Sequence, residues 1–229
     1  MAGIDSYAKL VLHCDGADTS TTFTDSSLSL HGNATVGGNA QVDTAQSKFG
    51  GASYLGDGTG DYLTYADNAD WDFGTGDFTI DNWVRFAALG GDNNLFSRNA
   101  IGGNIQWKFD KGSNSLKAYW GGGFVRNEGW TPSIDTWYHV AIERYSGNVY
   151  IYVDGTKLGT AAANSTDLTF TDAIFIGAIE DGSQSINGWI DEYRISKGIG
   201  RYAGTNFTPP TAAYSVDSSS SLMLMGVGP

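Results

Sequence analysis

Short runs with an apolar side chain at every second position, each closed by Gly, Asp, Asn or Ser, recur along this 229-residue chain from end to end. Period-two alternation buries one face of an extended strand, and the closing residues are those that tolerate turn geometry. Phe78–Phe86 (FTIDNWVRF) sets Phe78, Ile80, Asn82, Val84 and Phe86 against Thr79, Asp81, Trp83 and Arg85. Lys9–His13, Ser53–Leu55, Asp61–Tyr65, Asn94–Ser97, Ile105–Asp110, Ser115–Trp120, Trp137–Arg144, Asn148–Val153, Thr156–Thr160, Ala173–Gly177 and Gly188–Ser196 complete the series. Trp137–Arg144 and Asn148–Val153 meet across Tyr145–Gly147 as a hairpin, and Asp154-Gly155 suits a type I′ turn with positive φ. No stretch keeps a helical period beyond one or two turns, a one-turn helix near Gly198–Tyr202 being the most that is expected. Many short strands without βαβ alternation predict an all-β fold, a two-sheet antiparallel β-sandwich of jelly-roll type.

Composition narrows the class. With 32 glycines and only four glutamates and seven lysines, surface helices are scarce. No Pro/Gly/Ser-rich linker interrupts the chain, so residues 1–229 read as one domain, its core from about residue 7 to 215 and a short strand or tail over 216–229. Tyr214–Met225 (YSVDSSSSLMLM) parallels Tyr7–His13 in a tyrosine followed by Leu-x-Leu, which fits either paired terminal strands or the stub of a second copy. The net charge of −12, with thirteen scattered Lys and Arg, excludes nucleic-acid backbone binding. No apolar run approaches the ~20 residues of a membrane span, and no basic-then-apolar start resembles a signal peptide. Cys14 is the sole cysteine, which removes intrachain disulfides and thiolate zinc sites.

Three stretches then stand out together. They are FGGASYLGDGTGDYLTYAD (Phe49–Asp67) leading into GDFTIDNWVRF (Gly76–Phe86), DTWYHVAIERYSGNVYIYVDGTKLGT (Asp135–Thr160), and IGAIEDGSQSINGWIDEYRISKGIGRY with NFTPP (Ile176–Tyr202, Asn206–Pro210). With the opening LHCDGADTSTTFTDSS (Leu12–Ser27), their order and spacing resemble the laminin-G-like, concanavalin A-type jelly rolls of bacterial surface proteins and phage particles. The resemblance implies a virion or extracellular location, as in a tail fibre or capsid decoration, and non-catalytic recognition of a cell-surface glycan. The competing expectation is a structural decoration protein that binds other virion subunits, self-association included, and no sugar. The resemblance also implies a structural calcium ion, with Asp15 of HCDG and Asp191 of WIDEYRI as ligands and Asp61 of GTGDYL as a further oxygen donor. Calcium takes six to eight oxygens, and no contiguous DxDxDG loop supplies them, so such a site must be assembled from distant segments. The same aspartates also fit turn caps and backbone-amide acceptors.

A glycan site needs an aromatic platform beside polar side chains, because sugars present both C–H faces and hydroxyls. Asn94–Trp130 is the densest such region, and Arg98, Asn99, Trp107, Trp120, Arg126 and Trp130 are the expected contacts; the tryptophans fit an inter-sheet filling as well. Related jelly rolls include glucanases with paired glutamates, but the E-x-D-x-E pattern is absent and Glu128, Glu143, Glu180 and Glu192 stand far apart. Strict alternation puts Asp191 and Glu192 on opposite faces, so catalysis is not expected. His13, His31 and His139 lie outside any Ser or Cys nucleophile signature, and His139 fits a packed or surface-tip role.

Overall fold

The computed structural model describes residues 3–99, 103 and 105–217. Two antiparallel sheets face each other. The first contains β1 (Ala8–Leu12), β3 (Gln41–Asp43), β4 (Ser53–Asp57), β6 (Phe78–Phe86), β11 (Trp137–Tyr145), β12 (Asn148–Val153), β13 (Thr156–Ala163) and β15 (Asn187–Lys197). Its order is β13-β12-β11-β6-β15-β4-β3, with β1 also on β15. The second contains β2 (Thr35–Gly37), β5 (Tyr62–Tyr65), β7 (Asn93–Arg98), β8 (Ile105–Asp110), β9 (Ser115–Trp120), β10 (Gly123–Gly129) and β14 (Ile174–Ile176), ordered β10-β9-β8-β7-β14-β5-β2. This is the two-sheet jelly-roll sandwich that the alternation predicts.

Both hairpin turns follow from local chemistry. Ser146 and Gly147 (φ +49° and +71°), like Asp154 and Gly155 (+47° and +73°), have positive φ at both central positions, as a type I′ turn requires. At Gly155 a Cβ would also strike the Phe207 carbonyl oxygen at 1.9 Å. The expected helix near Gly198–Tyr202 is replaced by turns over residues 201–205, and a short 3-10 turn forms at Ala69–Trp71 instead. Most of the expected terminal strand, residues 218–229, lies outside the described residues; Val216 makes a parallel bridge to Ile4.

Alternate side chains of each sheet fill the space between them. Ile80, Val84, Phe86, Val140, Ile142, Ile190 and Ile195 meet Ile105, Trp107, Phe109, Leu116, Ala118 and Trp120, all essentially buried. Phe78 packs edge-on to Trp120 with centroids 6.1 Å apart.

The outer face of the eight-stranded sheet is largely roofed. Residues 198–217 cross it as a strap, with Tyr202 and Phe207 stacked 3.5 Å apart against Tyr152 and His139. Beneath it, Asp81 accepts hydrogen bonds from Arg194 Nη2 (2.7 Å), Arg194 Nε (3.0 Å), Tyr202 Oη (2.5 Å) and Tyr214 Oη (2.8 Å). Glu143 accepts from Tyr152 Oη (2.6 Å) and from the Tyr202 and Gly204 amides (2.9 and 2.7 Å). Burial pushes the Asp81 carboxyl up, but Arg194 and His139 outweigh it and hold it well below the usual range. These carboxylates are sealed fasteners for the strap.

Candidate functional site

The outer face of the seven-stranded sheet is more open. One register row crosses it through Phe124, Tyr119, Gln106, Ser97, Phe175, Thr64 and Thr35. The loop joining β14 to β15 lies over its middle, where the Ala178 carbonyl accepts from Asn94 Nδ2 (2.7 Å) and Ser97 Oγ (3.2 Å). Beyond that loop Phe124 is 61% exposed, and Tyr119, Gln106 and Lys117 are half-buried around it. The Tyr119 and Phe124 rings meet edge-to-face at 5.5 Å, and the Lys117 ammonium lies 4.9 Å from the Phe124 centroid.

At the rim this patch meets a cleft of about 500 Å³ lined by Gly58, Gly90, Gly91, Asp92, Asn93, Gln184, Ser185 and Asn187. Gln184 belongs to both: its Oε1 accepts from Gln106 Nε2 (2.6 Å) and Lys108 Nζ (3.0 Å). Lys108 also bonds Asp92 at 2.7 Å, and Lys117 bonds Asp110 at 2.8 Å, so the positive and negative charges here are matched. Burial raises the Asp110 carboxyl, but hydrogen bonds from Lys117 and Ser113 prevail and bring it down to about 2. The surface offers rings, carboxamides and hydroxyls with little net charge.

The sequence-predicted glycan contacts lie elsewhere. Trp107 and Trp120 are core side chains, 1% and 3% exposed, with the Trp120 indole donating to Asn164 Oδ1 at 2.8 Å. Trp130 is half-buried among Phe86, Phe109 and Tyr138. Arg98 is fully buried and donates to the Trp71 and Asp172 carbonyls (2.9 Å each), Asp72 (2.8 Å) and Asp67, tying two loops to the end of β7. Asn99 follows it in the left-handed region (φ +46°), donating to Asp172 Oδ1 at 3.3 Å. Arg126 donates to the Leu158 carbonyl (2.9 Å) and that of Thr160, closing the outer edge of β13. The platform is thus the alternate set of the same strands: Gln106 beside Trp107, Tyr119 beside Trp120. Period two separates the faces of a strand without telling which one meets the other sheet.

The three predicted calcium ligands divide. Asp191 is buried on β15, and its Oδ2 accepts from the Lys48 and Phe49 amides (2.7 and 3.0 Å) while its Oδ1 has no partner. Burial pushes its carboxyl up to about 7. Asp15 is exposed, and its carboxylate lies against Gly50 of the same loop, where a Cβ would come within 2.1 Å of it. Asp61 is in the β4–β5 turn, accepting from the Asn39 and Asp57 amides (2.7 and 2.8 Å). Among the described residues no group of three or more His, Cys, Asp or Glu side chains is gathered to hold a metal. The alternation also breaks here. A bulge at Glu192 (φ +50°) lets Asp191 meet the 48–49 loop while Glu192 accepts from the Tyr214 amide at 2.7 Å and pairs with His13 at 2.8 Å.

Fold and surface define the class: an antiparallel jelly-roll sandwich with one roofed face and one open, aromatic-bearing face. The family model described as the concanavalin A-like lectin/glucanases superfamily (Laminin_G_3) matches residues 57–199, and the chain belongs to that family. β1, β2 and β3 precede the matched span and complete the same two sheets. Domain 4 of AbnA, an extracellular GH43 arabinanase from Geobacillus stearothermophilus solved with arabinotriose, superposes at TM-score 0.65 and 17% identity, over 89% of this chain and 97% of that one. Trypanosoma rangeli sialidase in complex with 2,3-difluorosialic acid superposes at 0.61 and 14% identity, over 88% of this chain but 33% of its own. The receptor-binding domain of a botulinum neurotoxin C/D mosaic superposes at 0.60 and 15%, over 86% and 49%. At these identities the likeness is one of fold. No curated protein sequence matches the chain.

Proposed function

We propose that this chain is a non-catalytic carbohydrate-binding domain whose ligand lies across Phe124, Tyr119 and Gln106 and enters the rim cleft at Gln184. The observation that carries the reading is the continuity of an exposed aromatic patch with a polar, glycine-walled cleft through one carboxamide. Aromatic faces suit sugar C–H groups, and carboxamides and backbone amides suit hydroxyls. A neighbouring structure that the chain spans almost end to end was solved with arabinotriose, which supports an uncharged glycan.

The carboxylates support binding without hydrolysis. Retaining or inverting chemistry needs two carboxyls free to face one glycosidic bond. On the open face Asp92 and Asp110 are each tied to a lysine, while Asp81 and Glu143 are sealed under the strap. Display on a phage particle or another extracellular surface is part of the same proposal, and there the domain would serve adhesion.

A structural calcium also belongs to it. The orphaned Asp191 Oδ1 and the Asp15 carboxylate, both set against residues 48–50, are oxygens of the kind a hard cation takes, and an ion between them would tie the end of β1 to β15. Asp61, held by two amides in another turn, is left out of this set.

Titration with neutral oligosaccharides, arabinotriose among them, tests the function. Tyr119→Ala and Gln184→Ala should each weaken binding at least tenfold with no reducing ends released. Unchanged affinity in both variants, or steady release of reducing ends, overturns the reading.

A further inference from the structure

The strap does not cover all of the eight-stranded sheet. At the end nearest the rim cleft one cross-strand row stays half-exposed: Trp137 on β11, Arg85 on β6, Trp189 on β15, Leu55 on β4 and Gln41 on β3, each the register partner of the next. The next row inward is covered, His139 by Phe207 of the strap and Trp83 by Lys48, whose ammonium lies 3.8 Å from the indole centroid. Trp137 and Trp189 flank Arg85, so their indoles are rooted two strand spacings, about 10 Å, apart. That is about the length of a disaccharide.

The row is held rigid from its edges. The Arg85 guanidinium lies 4.7 Å from the Trp189 centroid and pairs with Asp135 at 2.9 Å. The Trp189 indole donates to Asp43 Oδ2 at 2.6 Å, and Asp43 Oδ1 accepts the Ala45 amide at 2.9 Å. A platform fixed before its ligand arrives loses little side-chain entropy on binding. Its cation is neutralised by Asp135, and Asp43 adds negative charge on a chain of net charge −12, so a polyanion is repelled. The Trp137 indole N–H and the Gln41 carboxamide make no hydrogen bond among the described residues and are left for hydroxyls.

We infer that Trp137, Arg85 and Trp189 form a second carbohydrate platform, on the opposite sheet from the first, for an uncharged extended glycan whose rings stack on the two indoles. It draws on different residues from the proposed site, although Asn187, two residues before Trp189 on β15, lines the cleft that both surfaces border.

The test uses the full chain in affinity electrophoresis against soluble arabinan, xylan and mixed-linkage β-glucan, with polygalacturonate as the acidic control. Trp137→Ala and Trp189→Ala should each weaken retention by at least one neutral polymer about tenfold or more, while Tyr119→Ala leaves part of it. Thermal melting checks that the variants are folded. In unsubstituted protein, indole N–H resonances of Trp137 and Trp189 should shift on addition of the matching oligosaccharide, a readout independent of any variant's folding. Loss of binding in Tyr119→Ala alone, with the two indole resonances unmoved, overturns this platform and leaves the proposed site standing. Loss confined to the tryptophan variants supports the platform and overturns the proposed site. No retention by any neutral polymer, or stronger retention by polygalacturonate, overturns the inference.

Discussion

Asp81, His139 and Glu143 on one outer face, and Asp92, Lys108 and Asp110 on the other, are all ionisable residues on or bordering central strands of their sheets. The first three are wholly buried beneath residues 198–217; Asp81 and Glu143 bond to Arg194, tyrosine hydroxyls and backbone amides, and the His139 ring lies 3.5 Å from Asp81. The second group lies near the surface, where each charge has one oppositely charged partner and its side chain is partly exposed. Residue type therefore says little about role in this sandwich. What crosses above a strand decides whether its polar side chains fasten the fold or meet a ligand. Buried pairs become costly when broken, whereas exposed pairs contribute little.

The sharpest test of that contrast is Asp81→Ala, which leaves the buried Arg194 guanidinium without its carboxylate. It should cost about 3–5 kcal/mol in urea unfolding. A loss under about 1 kcal/mol would show that the strap is no fastener. Next comes the bulge at Asp191–Glu192. With a folded pKa near 7 against an ordinary 3.8, Asp191 binds its proton more tightly in the folded state. In EDTA its contribution is therefore most favourable below pH 4 and is lost as pH rises to about 7, by about 2–4 kcal/mol. Asp191→Asn should flatten that slope, and calcium should restore stability at pH 7 only where Asp191 is present. Equal slopes in both proteins would contradict this account of the corner.

Tyr202→Phe removes one hydroxyl from the Asp81 carboxylate and should cost about 1.5–3 kcal/mol, read from the denaturant midpoint at constant slope. On the open face, Tyr119→Ala should move stability by no more than about 0.5–1 kcal/mol while weakening glycan binding. A large loss of stability there would place Tyr119 with the fasteners.

The strands were largely legible. Phe78–Phe86, Ile105–Asp110, Ser115–Trp120 and Asn148–Val153 have the bounds their alternation predicts, because a sheet with one buried face writes period two into its sequence. β2, β3 and β10 were not, since TVG, QVD and GFVRNEG are short or glycine-bearing and lie at sheet edges, where burial is weak. The candidate site was legible only as a region. Alternation puts Trp107 and Gln106 on opposite faces, but the choice of inner face depends on the partner sheet. Arg98 and Arg126 look like ligand contacts until the loop and edge carbonyls they satisfy are in place. Asp191 and Glu192 defeat the pattern outright, because one residue in the left-handed region inserts a bulge that no apolar spacing signals. The strap has no period-two alternation to announce it, and it is fastened through Asp81 and Glu143, which come from strands far away in sequence.

The claim that the open face of the seven-stranded sheet receives a glycan is tested most directly by amide hydrogen–deuterium exchange of the full chain with and without a bound neutral oligosaccharide. Slower exchange in β8, β9, β10 and the Gln184 loop, with no change at Asp81, Glu143 or Tyr202, is the predicted result. Protection confined to the strands beneath the strap would contradict it.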